Sequence, residues 1–166
     1  MIWPPIAFII SMVAASSISA TVAVEDDAGN RLELNRPARR IVALAPDIVE
    51  TLFAVGAGEQ IVGTVSYSDF PEEAKLIPHV GSNKSVNDEV LLSLKPDLVV
   101  AWQSGNGSKL IARLKKLGLT VYVSEPRRLG DIAGTLERMG VLSGHKIEGQ
   151  EVSRLFLNEL ELLHIE

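Results

Sequence analysis

Residues 40–71 read RIVALAPDIVETLFAVGAGEQIVGTVSYSDFP, and this stretch predicts the fold. The apolar run Ile41–Ala45 suits a short strand that is buried on both faces, and Pro46 ends it. Asp47 and Glu50 then have the spacing of a capping box, and apolar residues follow at helical spacing. Glycines end this helix, and a second buried strand comes next. Strand, helix and strand predict a parallel βαβ unit, whose ligands gather beyond the carboxyl ends of the strands.

The rest of the chain continues the alternation of strands and helices. Thr21–Val24 and Arg31–Leu34 flank a turn-rich loop and predict an antiparallel hairpin before the unit. Together the segments predict an α/β fold, in which a central parallel sheet is flanked by helices and a long helix comes last. The further segments are a helix over 88–94 capped by Asn87, strands over 98–101 and 119–123, helices ending at Gly118 and near 140–144, and a helix over 145–166.

Composition excludes several classes of function. The chain has 166 residues, of which 46% are hydrophobic, and this is typical of a globular protein. Its net charge is −5 and it has no basic block, so nucleic acid is not expected as a partner. Cysteine is absent, which excludes disulfides and thiolate metal sites. The three histidines are scattered, so no metal site is predicted.

The first 20 residues predict a cleavable export signal. The apolar run Ile2–Val13 precedes a series of small residues, as in secretory signal peptides. A membrane anchor is the alternative because the segment approaches spanning length, although Pro4 and Pro5 make it a poor spanning helix. The protein is therefore expected in the periplasm, touching the membrane only through a partner or an uncleaved signal. The predicted organisation is a signal peptide over 1–20, a globular lobe over 21–144 and a final helix over 145–166.

Sequence motifs of enzymes are weak in this chain. Gly56 and Gly58 end a helix instead of joining a strand to one, so they do not form a dinucleotide fingerprint. The segment Gly105–Lys109 could bind an anion with its amides, but it lacks the spacing of a phosphate-binding loop. No nucleophile elbow is present. We therefore expect a protein without catalytic residues or cofactor, and a nucleotide-dependent enzyme on a parallel sheet is the alternative.

Aromatic side chains mark the predicted binding edge. Tyr67 and Trp102 each follow a core strand, so both are expected at the carboxyl edge of the sheet. Rings of this kind give a bulky ligand a large contact area at small entropic cost. Ser66, Gln103 and Asn106 lie beside them in sequence and add polar groups. These five residues are the candidate ligand-binding residues.

The same segments resemble a known family. They are similar to the periplasmic substrate-binding proteins of ABC importers for iron complexes and cobalamin, and closest to the cobalamin-binding branch. The resemblance covers roughly residues 26–166. It is carried by Arg40-Ile-Val-Ala-Leu-Ala-Pro46, Glu50-Thr-Leu-Phe-Ala-Val-Gly-Ala-Gly58, Val62-Gly-Thr-Val-Ser-Tyr-Ser-Asp-Phe-Pro71 and Leu92-Ser-Leu-Lys-Pro-Asp-Leu-Val-Val-Ala-Trp102.

The resemblance implies a protein of two Rossmann-like lobes that a stiff helix joins and between which the ligand is clamped. Tyr67 and Trp102 would then face cobalamin or another metal chelate. Glu89 matches the acidic residue that contacts the membrane permease. Where the cobalamin branch has another ligand-facing Trp, this chain has Asn83, which is a sixth candidate ligand-binding residue and leaves a siderophore or haem as an alternative ligand. The chain is expected to contain the N-terminal lobe and part of the connecting helix, without the second lobe.

Overall fold

The computed structural model describes residues 21–163. The export signal predicted over residues 1–20 lies outside this range. Strands and helices alternate after an opening hairpin, which confirms the α/β prediction. The elements are β1 (Val22–Glu25), β2 (Arg31–Leu34), β3 (Ile41–Ala43), α1 (Pro46–Ala54), β4 (Ile61–Gly63), α2 (Asp88–Ser93), β5 (Leu98–Trp102), α3 (Gln103–Lys116), β6 (Val121–Ser124), α4 (Leu129–Ser143) and α5 (Lys146–Leu162).

The central sheet has four parallel strands in the order β4-β3-β5-β6. β1 and β2 pair antiparallel as the predicted hairpin. From β3 the chain moves outward to β4 and then returns past β3 to β5, so the strand order reverses between β3 and β5. In open α/β sheets such a reversal opens a crevice at the carboxyl ends of the strands, where ligands bind.

Each central strand is buried on both faces, as its continuous apolar sequence predicts. In β5, Leu98 and Val100 contribute to one core, together with residues of α1, α4 and the hairpin. Val99 and Ala101 contribute to the opposite core, which residues of α2 and α3 complete. This alternation follows from the two-residue period of a strand, and it fixes the sheet firmly between two helical layers.

The predicted cap of α1 is wrong. The helix begins at Pro46, one residue before the expected Asp47 cap, and the capping position is Ala45, whose side chain makes no capping bond. Proline suits the first helical position because its φ angle is already helical and it has no N–H group to satisfy. Asp47 consequently lies in the first turn, where a carboxylate stabilises the positive end of the helix dipole.

The cap of α2 is confirmed. The Asn87 side-chain oxygen accepts the backbone N–H groups of Glu89 at 3.0 Å and Val90 at 3.1 Å. Two otherwise unpaired donors at the helix start are thereby satisfied. The cap fixes the short helix at a defined orientation and leaves Glu89 exposed in its first turn.

Helices α4 and α5 pack so closely that their contact requires glycine. A Cβ atom built on Gly140 would lie 2.9 Å from the Cα atom of Gly149 and 2.7 Å from the carbonyl oxygen of His145. A Cβ atom on Gly149 would lie 2.9 Å from the carbonyl oxygen of Leu136. The partners are backbone atoms, so any side chain here forces the helices apart. None of the helices within residues 21–163 has the length and apolar character that a membrane crossing requires.

Candidate ligand-binding site

The carboxyl ends of the four parallel strands form one edge of the sheet, which we call the binding edge. It consists of the segments at the carboxyl ends of β4, β3, β5 and β6, namely residues 64–69, 44–47, 102–106 and 124–126. The predicted residues Ser66, Tyr67, Trp102, Gln103 and Asn106 all lie on it. β4 and β5 flank β3, so the segments that carry Tyr67 and Trp102 are two strand spacings apart, or about 10 Å.

Tyr67 is presented to solvent by a strained turn. Its side chain is 84% exposed, and its backbone φ angle is +70°. The left-handed region costs a residue with a side chain on the order of 1–3 kcal/mol, and such strain concentrates at functional sites. Thr64 and Ser68 are buried on either side of Tyr67 in the sequence, and a hydrogen bond of 2.8 Å between their hydroxyl groups closes the turn. The backbone of the turn therefore directs the Tyr67 side chain outward, and most of the ring is free to contact a ligand.

Trp102 is the last residue of β5 and lies against the start of α3. Its side chain is 36% exposed, and a Cβ atom built on Gly105 would lie 1.8 Å from the indole ring. Glycine at position 105 thus leaves the space that the ring occupies. One side of the indole is packed and the rest remains open at the binding edge, which suits a ring that binds a bulky ligand.

Asn106 joins two segments of the binding edge to the loop that carries Asn83. Its amide nitrogen donates to the carbonyl oxygens of Leu44 at 2.9 Å and Asn83 at 2.7 Å. Its side-chain oxygen accepts the backbone N–H of Trp102 at 2.6 Å. The residue is buried, and its hydrogen-bonding groups are occupied by the protein. We therefore assign Asn106 to holding the edge together across the reversal of strand order.

The other predicted residues divide into two groups. The Ser66 hydroxyl donates to the carbonyl oxygen of Gly81 at 3.1 Å, so it holds a neighbouring loop in place. Asn83 is half-buried, and only its backbone carbonyl is engaged by Asn106. Gln103 is half-buried at the first position of α3. Tyr67, Trp102, Asn83 and Gln103 are thus the predicted residues whose side chains the structure leaves most available to a ligand.

Glu125 is a residue of the binding edge that the sequence did not single out. It follows β6, and its carboxylate accepts hydrogen bonds from the Ser104 hydroxyl and from the Ser104 backbone N–H, the latter at 3.0 Å. These bonds from Ser104, with smaller contributions from the Arg127 charge and the Trp102 side chain, lower the pKa of Glu125 below its ordinary 4.5. The Glu125 carboxylate therefore holds the first turn of α3, which follows Trp102, against the end of β6.

A cavity of about 100 Å³ opens beside the binding edge between α1 and α4. Ser124 and Met139 line it, and Asp47 stands at its rim. Burial raises the pKa of Asp47 above its ordinary 3.8, although the backbone N–H groups of Asp47 and Ile48 oppose this shift. This volume is well below the roughly 300 Å³ at which typical ligand pockets begin, so the cavity is too small for a large metal chelate.

Within residues 21–163 no three His, Asp or Glu side chains converge as metal ligands. The exposed and half-buried side chains that the sequence predicted at this edge are aromatic rings and neutral polar groups, a lining typical of pockets for organic ligands.

Comparison with known proteins places the chain in a family. Residues 41–164 match the family described as periplasmic binding protein. A vitamin B12-binding protein of Vibrio cholerae serotype O1 is 37% identical over 125 residues, which is 75% of this chain and 45% of the relative. The vitamin B12-binding protein of Yersinia pestis is 34% identical over 126 residues, or 76% of this chain and 45% of that protein.

Solved structures give the same result. The crystal structure of the periplasmic vitamin B12-binding protein of Vibrio cholerae matches with a TM-score of 0.73 at 37% identity. The match covers 76% of this chain and 50% of the Vibrio chain. A periplasmic heme-binding protein from Roseiflexus sp. RS-1 has a TM-score of 0.67 at 27% identity, with 75% and 48% covered. The chain spans about half the length of the curated relatives it matches. On the family match, which extends from β3 through α5, this chain belongs to the periplasmic binding protein family.

Proposed function

We propose that this chain binds cobalamin, or a related metal chelate, at its binding edge as the solute-binding component of an ABC importer. The observation that carries the proposal is the pair of exposed rings, Tyr67 and Trp102, on either side of the point where the strand order reverses. A flat, bulky ligand needs this kind of wide aromatic contact, and neutral polar groups such as Asn83 and Gln103 can orient it.

The relatives support cobalamin as the first candidate, because the vitamin B12-binding proteins are the more similar in sequence. Haem is the second candidate, since the heme-binding protein from Roseiflexus shares the fold at 27% identity. Both ligands are large metal macrocycles, which explains how one aromatic edge could serve either. Asn83, where a ring is expected in the cobalamin branch, makes this part of the edge more polar.

Calorimetric titration of cyanocobalamin tests the role of Trp102. Trp102→Ala is expected to weaken binding about 30-fold, because removal of a central aromatic contact costs about 2 kcal/mol. Leu117→Ala is the matched control, since Leu117 is exposed at the end of α3 opposite to the binding edge and its variant should bind like the wild type. Equal heats for the Trp102 variant and the wild type would remove Trp102 from the site.

The same titration with haem and a ferric siderophore identifies the ligand class. Absence of heat with all three ligands in the wild-type protein would contradict the proposed function. A thermal-shift assay with ATP and NAD tests the enzyme alternative, which predicts stabilisation by one of them, whereas a binding protein for metal chelates predicts none.

We further propose that Glu89 contacts an arginine of the permease. Glu89 is exposed in the first turn of α2, and within residues 21–163 its carboxylate makes no hydrogen bond or ion pair. The Asn87 cap holds the helix turn that presents it. Glu89→Gln is expected to reduce ligand uptake by cells several-fold, because a charge at an interface speeds association, while calorimetric binding stays unchanged. Glu159→Gln is the control, and equal uptake by the two variants would exclude Glu89 from the contact.

A further inference from the structure

The loop of the β1–β2 hairpin lies directly against the binding edge. The backbone N–H of Asp27 donates to the carbonyl oxygen of Val123 in β6 at 3.0 Å. In return, the backbone N–H of Glu125 donates to a carboxylate oxygen of Asp27 at 2.7 Å. Asp27 therefore fixes the backbone at the residue whose carboxylate fastens the turn after Trp102.

Asp27 is itself anchored to the core. Its second carboxylate oxygen accepts a hydrogen bond from Arg138 of α4 at 2.6 Å, and the two side chains are only 18% and 28% exposed. Arg138 also donates to the hydroxyl oxygen of Tyr122 at 2.6 Å. Tyr122 is fully buried, and burial raises its pKa to about 12, so the hydroxyl stays neutral and the arginine keeps this partner. This shielding makes the Asp27–Arg138 pair stronger than an exposed ion pair.

The hairpin loop is rigid enough to transmit this anchoring. The buried Asp26 carboxylate accepts the backbone N–H groups of Ala28 at 3.0 Å and Asn30 at 2.8 Å. The Asn30 side-chain amide donates to the same carboxylate at 3.0 and 3.1 Å. A loop closed on one of its own side chains in this way presents Asp27 in a single orientation.

We propose that Asp27 is a positioning residue for the aromatic binding edge, which it controls by fixing Glu125 and thereby Ser104 and Trp102. The contacts run without interruption from Asp27 to the Glu125 backbone, and from the Glu125 carboxylate to Ser104, two residues after Trp102. The hairpin thus contributes to ligand binding by holding Trp102 in position, a role that rests on the proposed function. A preplaced indole binds a ligand without first losing its own freedom of movement.

Fluorescence of Trp102 tests this proposal. The experiment uses the full chain with the substitution Trp3→Phe, because Trp3 and Trp102 are the two tryptophans of the sequence and Trp102 then emits alone. Asp27→Ala is expected to shift the Trp102 emission to longer wavelength and to increase its quenching by acrylamide, because the indole becomes more mobile and more exposed. Binding of cyanocobalamin, followed by titration, is expected to weaken by about two- to tenfold, the cost of ordering a released side chain.

Three further variants separate positioning from stability. Glu33→Ala changes the same hairpin but removes only an exposed pair with Arg31, so Trp102 emission and ligand affinity should both stay at wild-type values. Asp27→Asn keeps an oxygen that can accept the Glu125 N–H but loses the ion pair with Arg138, so it is expected to shift the emission of Trp102 less than Asp27→Ala does. Arg138→Gln, which frees Asp27 from the core without changing the loop, should shift the emission in the same direction as Asp27→Ala.

The decisive outcome is read from whichever of Asp27→Ala and Arg138→Gln folds. If its melting temperature changes while the emission and quenching of Trp102 do not, the proposal is overturned and Asp27 is a purely structural residue. Absence of cyanocobalamin binding in the wild-type chain would instead contradict the proposed function. The emission and quenching of Trp102 in the free protein would still test the positioning role in that case, so the two failures are distinguishable.

Discussion

Replacement of Asn106 by leucine is expected to lower the free energy of unfolding by about 3 kcal/mol, because several buried polar groups lose their partners. The affected groups are the carbonyl oxygens of Leu44 and Asn83 and the N–H of Trp102. Leucine has the same branching and number of side-chain heavy atoms as asparagine but no hydrogen-bonding atoms, so it leaves these polar groups unpaired, and its bulkier methyl groups add some crowding. Urea unfolding followed by circular dichroism measures the loss.

Asn158 provides the matched control for this substitution. It is exposed on α5, so Asn158→Leu should change the free energy of unfolding by no more than about 0.5 kcal/mol. Asn106→Leu is also expected to weaken ligand binding, since the segments after β3 and β5 would no longer be held together. If the two leucine variants were equally stable, the hydrogen bonds of Asn106 would not hold the edge as described.

Replacement of Gly140 by alanine is expected to cost about 2 kcal/mol of stability, although alanine favours helix formation more than glycine does. The added methyl group would meet backbone atoms of His145 and Gly149 at less than 3.0 Å, and backbone cannot rotate away as a side chain can. The helices α4 and α5 must therefore separate or shift. Thermal unfolding reports the loss, and faster proteolysis within α5 reports the separation.

Gly130→Ala is the control within the same helix. A Cβ atom built on Gly130 meets nothing within 4 Å, so this variant should be as stable as the wild type or gain up to about 1 kcal/mol. Equal stability of Gly140→Ala and Gly130→Ala would mean that the close contact between α4 and α5 contributes nothing.

Much of the fold could be predicted from local pattern. The strands centred on Val42 and Val99 appear in the sequence as short apolar runs, and Asn87 has the chemistry of a helix cap. Glycines at 118 and 144 end α3 and α4 with positive φ angles of 81° and 85°, which glycine adopts without strain. The prediction that Asp47 caps α1 was wrong, because Pro46 fits the first position of a helix and α1 therefore begins one residue earlier than expected.

The candidate site was predicted less completely. Tyr67 and Trp102 could be placed at one edge, because parallel strands bring their carboxyl ends together whichever residues they contain. Asn106 could not be assigned its role, since its partners Leu44 and Asn83 lie 62 and 23 residues away. Glu125 bonds to Ser104 across 21 residues and gave no signal in the sequence. A single glutamate after a strand resembles many solvated ones.

The amino-acid sequence by itself was sufficient to predict which segments form strands and helices. It also predicted the parallel βαβ arrangement and the position of two aromatic rings at the binding edge. Each of these follows from the periodicity of side chains along a few consecutive residues and from the fixed direction of parallel strands. Folding in three dimensions settled which polar groups are occupied and which remain free, and where two helices touch through Gly140 and Gly149. Those outcomes depend on distances between residues far apart in the chain, which exist once the strand order and the helix packing have formed.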